Sequence, residues 1–288
     1  MTKRLCRFAA VLICAQAFGQ RVCPASVPGG NIPYGNNPAA AHTASVNGIK
    51  LYYEIYGGGP PLLLIHGNGS SIAAMRCQIP FFAKSYRVIA ADSRSHGQSG
   101  DGSGPLTYDQ LADDLSALLR QVSGGPADVI GWSDGGIIGL LLAIHHPDQL
   151  KSVVADAPNL RPEPPAMFPW VVAQIRASRD EAVAKLARSD HTRNWNREKR
   201  LNQMMLDEPH IPLTDLRKIP VPVLVMGGDE DLIPKEHLLE IYQNIPKANL
   251  LIAPAATHLF LQEDPERFND FVSRFLKGPF KRPKAKLQ

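Results

Sequence analysis

Residues 131–135 form a glycine-rich segment that could make a serine into a nucleophile. They read Gly-Trp-Ser-Asp-Gly, the form G-x-S-x-G, and lie between an apolar run typical of a buried strand and one typical of a buried helix. A turn this sharp would strain the backbone of Ser133 and present its hydroxyl at the helix N-terminus, where backbone N–H groups favour developing negative charge. The competing interpretation is a serine that only caps the helix.

A serine hydroxyl is a weak nucleophile unless a base, itself oriented by a third group, takes its proton. Of the nine histidines, His258 follows the last predicted strand, at the edge where open α/β sheets bind ligands, and we expect it to be the base. Asp231 follows the preceding strand and is the preferred acid. Asp229 is its main rival, and Asp156, after an earlier strand, is a more distant alternative.

Two backbone N–H groups are needed to bind the oxyanion that such a reaction forms. The N–H of Asp134, directly after the serine, is one candidate, and the N–H of Asn68 is the other. Asn68 lies in residues 66–69, His-Gly-Asn-Gly, after an early strand, and we expect His66 to hold this loop in shape. The loop lacks the lysine of a phosphate-binding loop and the glycine spacing of a dinucleotide site. We therefore expect neither a metal nor an organic cofactor.

Short continuous apolar runs alternate with helical patterns along the chain, which predicts a mostly parallel sheet with helices on both faces. An alternating segment around Asn47-Gly48, a hairpin signal, predicts two antiparallel strands across about 44–57. The apolar runs that predict buried strands are residues 61–66, 87–91, 127–131, 152–155, 221–226 and 250–253. The fold class is therefore α/β.

The chain divides into six predicted segments. Residues 1–20 have a basic start, a short apolar run and small residues at possible cleavage points, which predicts a signal peptide and a secreted or periplasmic protein. About sixty residues without strand patterns, 158–218, are too long for a loop and predict a helical cap. The remaining segments are a linker (21–44), the two parts of the core (45–157 and 219–278) and a basic tail (279–288).

Composition excludes several other classes of protein. The chain has 288 residues and a formal net charge of only +4, too small and too scattered a surplus to indicate nucleic-acid binding. It has no apolar run of the ~18 residues that a membrane span needs. Two of its four cysteines lie in the predicted signal peptide, so Cys23 and Cys77 could pair, but the sequence does not establish this bond. It does not establish the oligomeric state either.

Five segments within residues 45–278, together with the order serine, acid, histidine, resemble the α/β-hydrolase superfamily. They are residues 66–69, 92–99, 131–136, 228–231 and 257–258. The resemblance implies an α/β-hydrolase fold in which Ser133, Asp231 and His258 form the catalytic triad. Ser95 departs from the family, which usually has glycine there, but this loop is structural in the family and the triad is not affected.

The Gly-Trp-Ser-Asp-Gly-Gly segment, residues 131–136, is similar to that of valacyclovir hydrolase and its bacterial relatives. In those enzymes the acid after the serine also contacts the amino group of an amino-acid ester, which makes Asp134 a candidate substrate contact. The alternative is a variable residue favoured near a helix N-terminus. Trp132 is a further candidate contact. So are Phe168 and Trp170, which could equally pack the cap onto the core.

These observations predict a serine hydrolase that cleaves a carboxylic ester or related acyl bond of a small molecule through an acyl-serine intermediate. Cofactor-free haloperoxidase or perhydrolase chemistry and carbon–carbon bond hydrolysis use the same triad and stay open as alternatives. A non-catalytic binding protein of the same fold is a third alternative, although such proteins generally lose a member of the triad.

Overall fold

The computed structural model describes residues 32–280, and its strands form a single eight-stranded sheet. In chain order the strands are β1 (Ala41–Val46), β2 (Ile49–Tyr56), β3 (Pro61–Ile65), β4 (Arg87–Ala91), β5 (Ala127–Trp132), β6 (Leu150–Asp156), β7 (Val223–Glu230) and β8 (Ala248–Thr257). Their order across the sheet is β1-β2-β4-β3-β5-β6-β7-β8. Only the β1–β2 and β2–β4 pairs are antiparallel, so the predicted mostly parallel α/β sheet is confirmed.

The register of the central strands brings several loops to one edge of the sheet. Ile65 at the end of β3 pairs with Gly131 in β5, and Trp132 at the end of β5 pairs with Asp156 at the end of β6. The neighbouring strands β7 and β8 end at the same edge, where Glu230 pairs with Thr257. Residues that follow these strands therefore lie close together although they are far apart in the chain.

Helices cover both faces of the sheet. In chain order they are α1 (Ile79–Phe82), α2 (Tyr108–Val122), α3 (Asp134–His145), α4 (Pro169–Ala187), α5 (Trp195–Asp207), α6 (Leu213–Leu216), α7 (Lys235–Asn244), α8 (Phe260–Glu263) and α9 (Pro265–Lys277). One core, between the sheet and α2, α3 and α7, contains Leu111, Ile138 and Leu238. The other lies under α1, α8 and α9 and contains Phe82 and Phe268. The inner strands are thus buried on both sides, as their continuous apolar runs indicate.

The predicted helical cap, residues 158–218, contains α4, α5 and α6. Helix α4 begins at Pro169, since proline is tolerated in the first turn, where its missing N–H costs nothing. The cap is joined to the loop before α2 by an ion pair between Arg197 and Asp101, 2.8 Å apart. The Glu208 carboxylate also accepts the backbone N–H of Tyr108, at 2.9 Å.

The part of the predicted linker that the structure describes is more ordered than its composition indicates. Strand β1 begins at Ala41, inside the predicted linker, and Tyr34 is buried. The backbone N–H groups of Gly35 and Asn37 each donate a 2.9 Å hydrogen bond to the carboxylate of Glu54, which is fully buried in β2. Backbone donors, which composition does not reveal, thus satisfy this carboxylate and fix this part of the segment against β2.

Several predicted features lie wholly or partly outside residues 32–280. The signal peptide and Cys23 lie outside them, as does the basic tail after residue 280. Cys77 is disulfide-bonded, and residues 32–280 contain no second cysteine. Its pairing with Cys23 stays a prediction. Over the described range, no helix is long and apolar enough to cross a membrane, and acidic, histidine and cysteine side chains form no cluster suited to a metal ion.

Candidate active site

Ser133 lies between β5 and α3 in a strained backbone conformation, with φ 57° and ψ −119°. Residues other than glycine rarely adopt a positive φ. The strand and the helix approach so closely that a Cβ atom on Gly131 would overlap the carbonyl oxygen of Gly135. The N–H of Ser133 donates to the carbonyl of Asp156 at 2.8 Å, which anchors the turn to the neighbouring strand.

The side chains of Ser133, His258 and Asp231 form one continuous chain of hydrogen bonds. The imidazole Nδ1 of His258 lies 2.7 Å from the Asp231 carboxylate, and its Nε2 lies 2.9 Å from the Ser133 hydroxyl. Because the carboxylate can only accept, Nδ1 donates to it, which leaves Nε2 as the acceptor for the serine proton. The arrangement suits transfer of a proton from the serine to the imidazole.

The other bonds of Asp231 keep it ionised. Its carboxylate accepts the backbone N–H groups of Gly228 and Ile233, each at 3.2 Å, in addition to the imidazole. Burial alone would raise the pKa of Asp231, yet the charge of His258 and these hydrogen bonds lower it below the usual value. The rival Asp229 is exposed and accepts the N–H of Ala256 instead.

Asp156 is a second buried carboxyl near Asp231, but the hydrogen-bonded chain does not include it. Burial, and to a smaller extent the charge of Asp231, raises the pKa of Asp156 well above its usual value. Its Oδ2 has no hydrogen-bond partner within the described part of the chain. Burial therefore favours the neutral form of Asp156 over the charged one.

The loop of residues 66–69 packs against the turn at Ser133. The side-chain amide of Asn68 donates to the Asp134 carboxylate at 2.8 Å, so the two predicted oxyanion donors are neighbours. His66 holds the loop with both ring nitrogens: Nδ1 donates to the carbonyl of Gly67 at 2.8 Å, and Nε2 accepts the N–H of Ser93 at 3.1 Å. Burial lowers the pKa of His66, which fits these neutral-ring bonds.

The sequence profile of the alpha/beta hydrolase family matches residues 62–271, most of the chain. The chain belongs to this family. It is similar to the pimeloyl-[acyl-carrier protein] methyl ester esterase of Aeromonas hydrophila, with 27% identity over 79% of this chain and 100% of that one. It is also similar to 3-oxoadipate enol-lactonase 2 of Acinetobacter baylyi, with 26% identity over 82% of this chain and 96% of that one.

A solved structure agrees with this assignment. The enol-lactonase from Burkholderia xenovorans LB400 superposes with a TM-score of 0.69 at 25% identity, over 82% of this hydrolase and 100% of that chain. One of the named relatives is thus an esterase by name, and the other, like this structure, an enol-lactonase.

Asp134 of this hydrolase is buried directly after the nucleophile, where it accepts hydrogen bonds from Asn68 and from the hydroxyl of Tyr108. Burial raises the pKa of its carboxyl to about 6, although these two bonds and the nearby His258 act to lower it. Nothing in the sequence marks Tyr108 as part of the site. Its contact with Asp134 was missed because a partner 26 residues away leaves no local pattern.

The three predicted aromatic substrate contacts lie in different surroundings. Phe168 and Trp170 are 38% and 46% exposed and stack on each other at the start of α4, with ring centroids 6.5 Å apart. Their contact with substrate stays a prediction. Trp132 is buried, and its indole N–H donates to the backbone carbonyl of His258 at 2.8 Å.

The raised pKa of Asp134 predicts how the free energy of unfolding depends on pH. Between its unfolded value near 4 and its folded value of about 6, the native protein holds a proton that the unfolded chain has released. Stability therefore falls as pH rises through this window. We expect Asp134→Asn, relative to the unmodified protein, to gain on the order of 1–3 kcal/mol of unfolding free energy between pH 4 and pH 7.5, measured by urea denaturation.

Asp229→Asn is the matched control, because hydrogen bonds from the backbone N–H groups of Ala255 and Ala256 lower the pKa of Asp229. Its pKa lies below the unfolded value near 4, so above about pH 5 the carboxyl has lost its proton in both states, and the stability of this variant relative to the unmodified protein should stay nearly constant up to pH 7.5. Equal slopes for the two variants would contradict the assignment of Asp134.

Proposed function

We propose that this hydrolase cleaves a carboxylic ester or a related acyl bond of a small molecule through an acyl-serine intermediate. The observation that carries the proposal is the unbroken hydrogen-bonded chain from Asp231 through His258 to Ser133, at 2.7 and 2.9 Å. Both distances fall within the range in which a general base can take the proton of a nucleophile.

In the first half of the proposed reaction, the Ser133 oxygen attacks the acyl carbon while its proton moves to Nε2 of His258. The carbonyl π-electrons move to the oxygen, which becomes an oxyanion. When the intermediate collapses, the bond to the leaving alkoxide breaks, and His258 returns the proton to it. The products are an alcohol and an acyl-serine.

In the second half, water attacks the acyl-serine and His258 takes its proton by the same geometry. On collapse the bond between the acyl carbon and the Ser133 oxygen breaks, His258 returns the proton to that oxygen, and the carboxylic acid is released. Asp231 stays ionised throughout: it fixes the imidazole with Nδ1 protonated and stabilises the imidazolium that forms in each half. The lowered pKa of Asp231 supports this role.

The backbone N–H groups of Asn68 and Asp134 are the proposed oxyanion donors. Support comes from the side-chain bond between these two residues and from Gly67, where a Cβ atom would lie only 3.1 Å from the Cβ of Ser133. The loop after β3 is thus held directly against the nucleophile. Fixed donors of this kind are worth about 10²–10³ in turnover each.

The named relatives favour acyl–oxygen hydrolysis over the other chemistries of this triad. One is named as a methyl ester esterase and another as an enol-lactonase, and both names describe cleavage at an acyl carbon. The complete triad likewise disfavours a non-catalytic binding protein. The features of residues 1–20 support the further proposal that the hydrolase is secreted or periplasmic.

Replacing the nucleophile tests the proposal directly. Ser133→Ala should lower kcat for a short acyl ester by at least about 10⁴-fold, since no oxygen remains to form the acyl intermediate. A fluorophosphonate probe should label the unmodified protein at Ser133 and leave the variant unlabelled. Ser273→Ala, in α9, is the control and should keep full activity and labelling. Full turnover by the Ser133 variant would disprove the mechanism.

The choice of acid is tested by a pair of isosteric changes. Asp231→Asn should lower kcat by about 10⁴-fold, because a neutral amide favours the wrong imidazole tautomer and no longer stabilises its cation. Asp229→Asn removes a carboxylate two residues away that contacts the N–H of Ala256 instead, and should change kcat by only a few-fold. Equal losses in the two variants would argue against Asp231 as the orienting acid.

Asp134 is also proposed to contact a substrate amine, and two esters that differ only in that amine can test it. If its carboxylate pairs with the ammonium, kcat/KM for an alanine ester should exceed that for the matching propionate ester. Asp134→Asn should then lower kcat/KM for the alanine ester by about 10-fold more than for the propionate ester, in proportion to one charged hydrogen bond. An equal effect on both esters would contradict the substrate contact, and Asp134 would then bind only Asn68 and Tyr108.

A further inference from the structure

Trp132 directly precedes the proposed nucleophile. Unlike a side chain that only lines a substrate pocket, its indole forms a hydrogen bond to the backbone. The side chain is 7% exposed at the end of β5. Its N–H donates a 2.8 Å hydrogen bond to the backbone carbonyl of His258, 126 residues away in the chain. The bond thus links the strand that carries the serine to the residue that carries the proposed base.

The indole ring also contacts both the base and the oxyanion loop. Its centroid lies 5.6 Å from that of the His258 imidazole, with the two planes inclined by 46°. A Cβ atom on Gly67 would lie 3.1 Å from the same indole ring. One rigid side chain therefore touches the base, the oxyanion loop and, through its own backbone, the nucleophile.

The loop that carries His258 lies at the edge of the sheet and is partly exposed. It is short, since β8 ends at Thr257 and α8 begins at Phe260, and Thr257 is exposed. Trp132, by contrast, belongs to an interior strand and pairs there with Asp156 of β6. A displacement of about 1 Å at a reacting group can cost about 10²-fold in rate.

We infer that Trp132 is a positioning residue, which fixes His258 and the loop at Gly67 relative to Ser133 and does not serve mainly as a substrate contact. This inference rests on the proposed function, because it concerns the same triad. The contribution of the hydrogen bond lies in the chemical step, so its loss acts on kcat, whereas loss of a substrate contact acts on KM.

The sharpest test removes the indole N–H and keeps the ring. Trp132→benzothienylalanine, introduced site-specifically, replaces the N–H by sulfur in a side chain of nearly the same shape. We expect kcat for a short acyl ester to fall by about 10-fold, the equivalent of one net hydrogen bond, with KM within about 2-fold. Trp132→Phe also removes contact with Gly67 and His258, and should lower kcat by about 10²-fold.

Trp195→Phe is the matched control. Trp195 is 8% exposed in α5, and its indole N–H also makes one hydrogen bond, at 3.0 Å to Asp190 within the helical cap. The same substitution there removes a comparable ring and donor away from the triad. Its kcat should stay within about 2-fold of the unmodified protein, even if its thermal midpoint falls.

Two outcomes would overturn the inference: an unchanged kcat in the benzothienylalanine variant, or a rise in KM alone. If Trp132→Phe fails to fold, the isosteric variant decides the question. Failure of the proposed function is distinguishable, because the unmodified protein would then show neither ester hydrolysis nor fluorophosphonate labelling at Ser133.

Discussion

The strained turn at Ser133 is the constraint on which the rest of the site depends. A residue with φ 57° and ψ −119° costs on the order of 1–3 kcal/mol, and the surrounding structure must hold it there. The bond from its N–H to Asp156 and the close contact of β5 with α3 at Gly131 do so. This turn places the Ser133 hydroxyl at the edge of the sheet, within hydrogen-bonding distance of the His258 imidazole from another loop.

Three buried carboxyls lie around this turn, and their environments drive their pKa values in different directions. Asp231 is kept ionised by the imidazole and two backbone N–H groups, whereas burial raises the pKa of Asp134 and Asp156. Of the three, only Asp231 is hydrogen-bonded to the His258 imidazole. Environments that separate the pKa values of neighbouring carboxyls in this way are a common means of dividing their roles.

Much of this arrangement can be predicted from the sequence, because the informative patterns are local. Buried parallel strands appear as continuous apolar runs, and the residues that follow them must meet at one edge, which selects Ser133 and His258 and leaves Asp231 as the preferred acid beside Asp229 and Asp156. Other features depend on contacts between distant residues and leave no local signal. Among these are the bond of Trp132 to the His258 carbonyl, the contact of Tyr108 with Asp134, and the buried Glu54 that orders residues 34–37.

The bond between Glu208 of the helical cap and the N–H of Tyr108 has a consequence for how this scaffold can diverge. Tyr108 in turn contacts Asp134 beside Ser133. A substitution at Glu208 therefore alters the surroundings of Tyr108 and, through it, of Asp134. Evolutionary divergence of the cap at this position is constrained by the residues around Ser133.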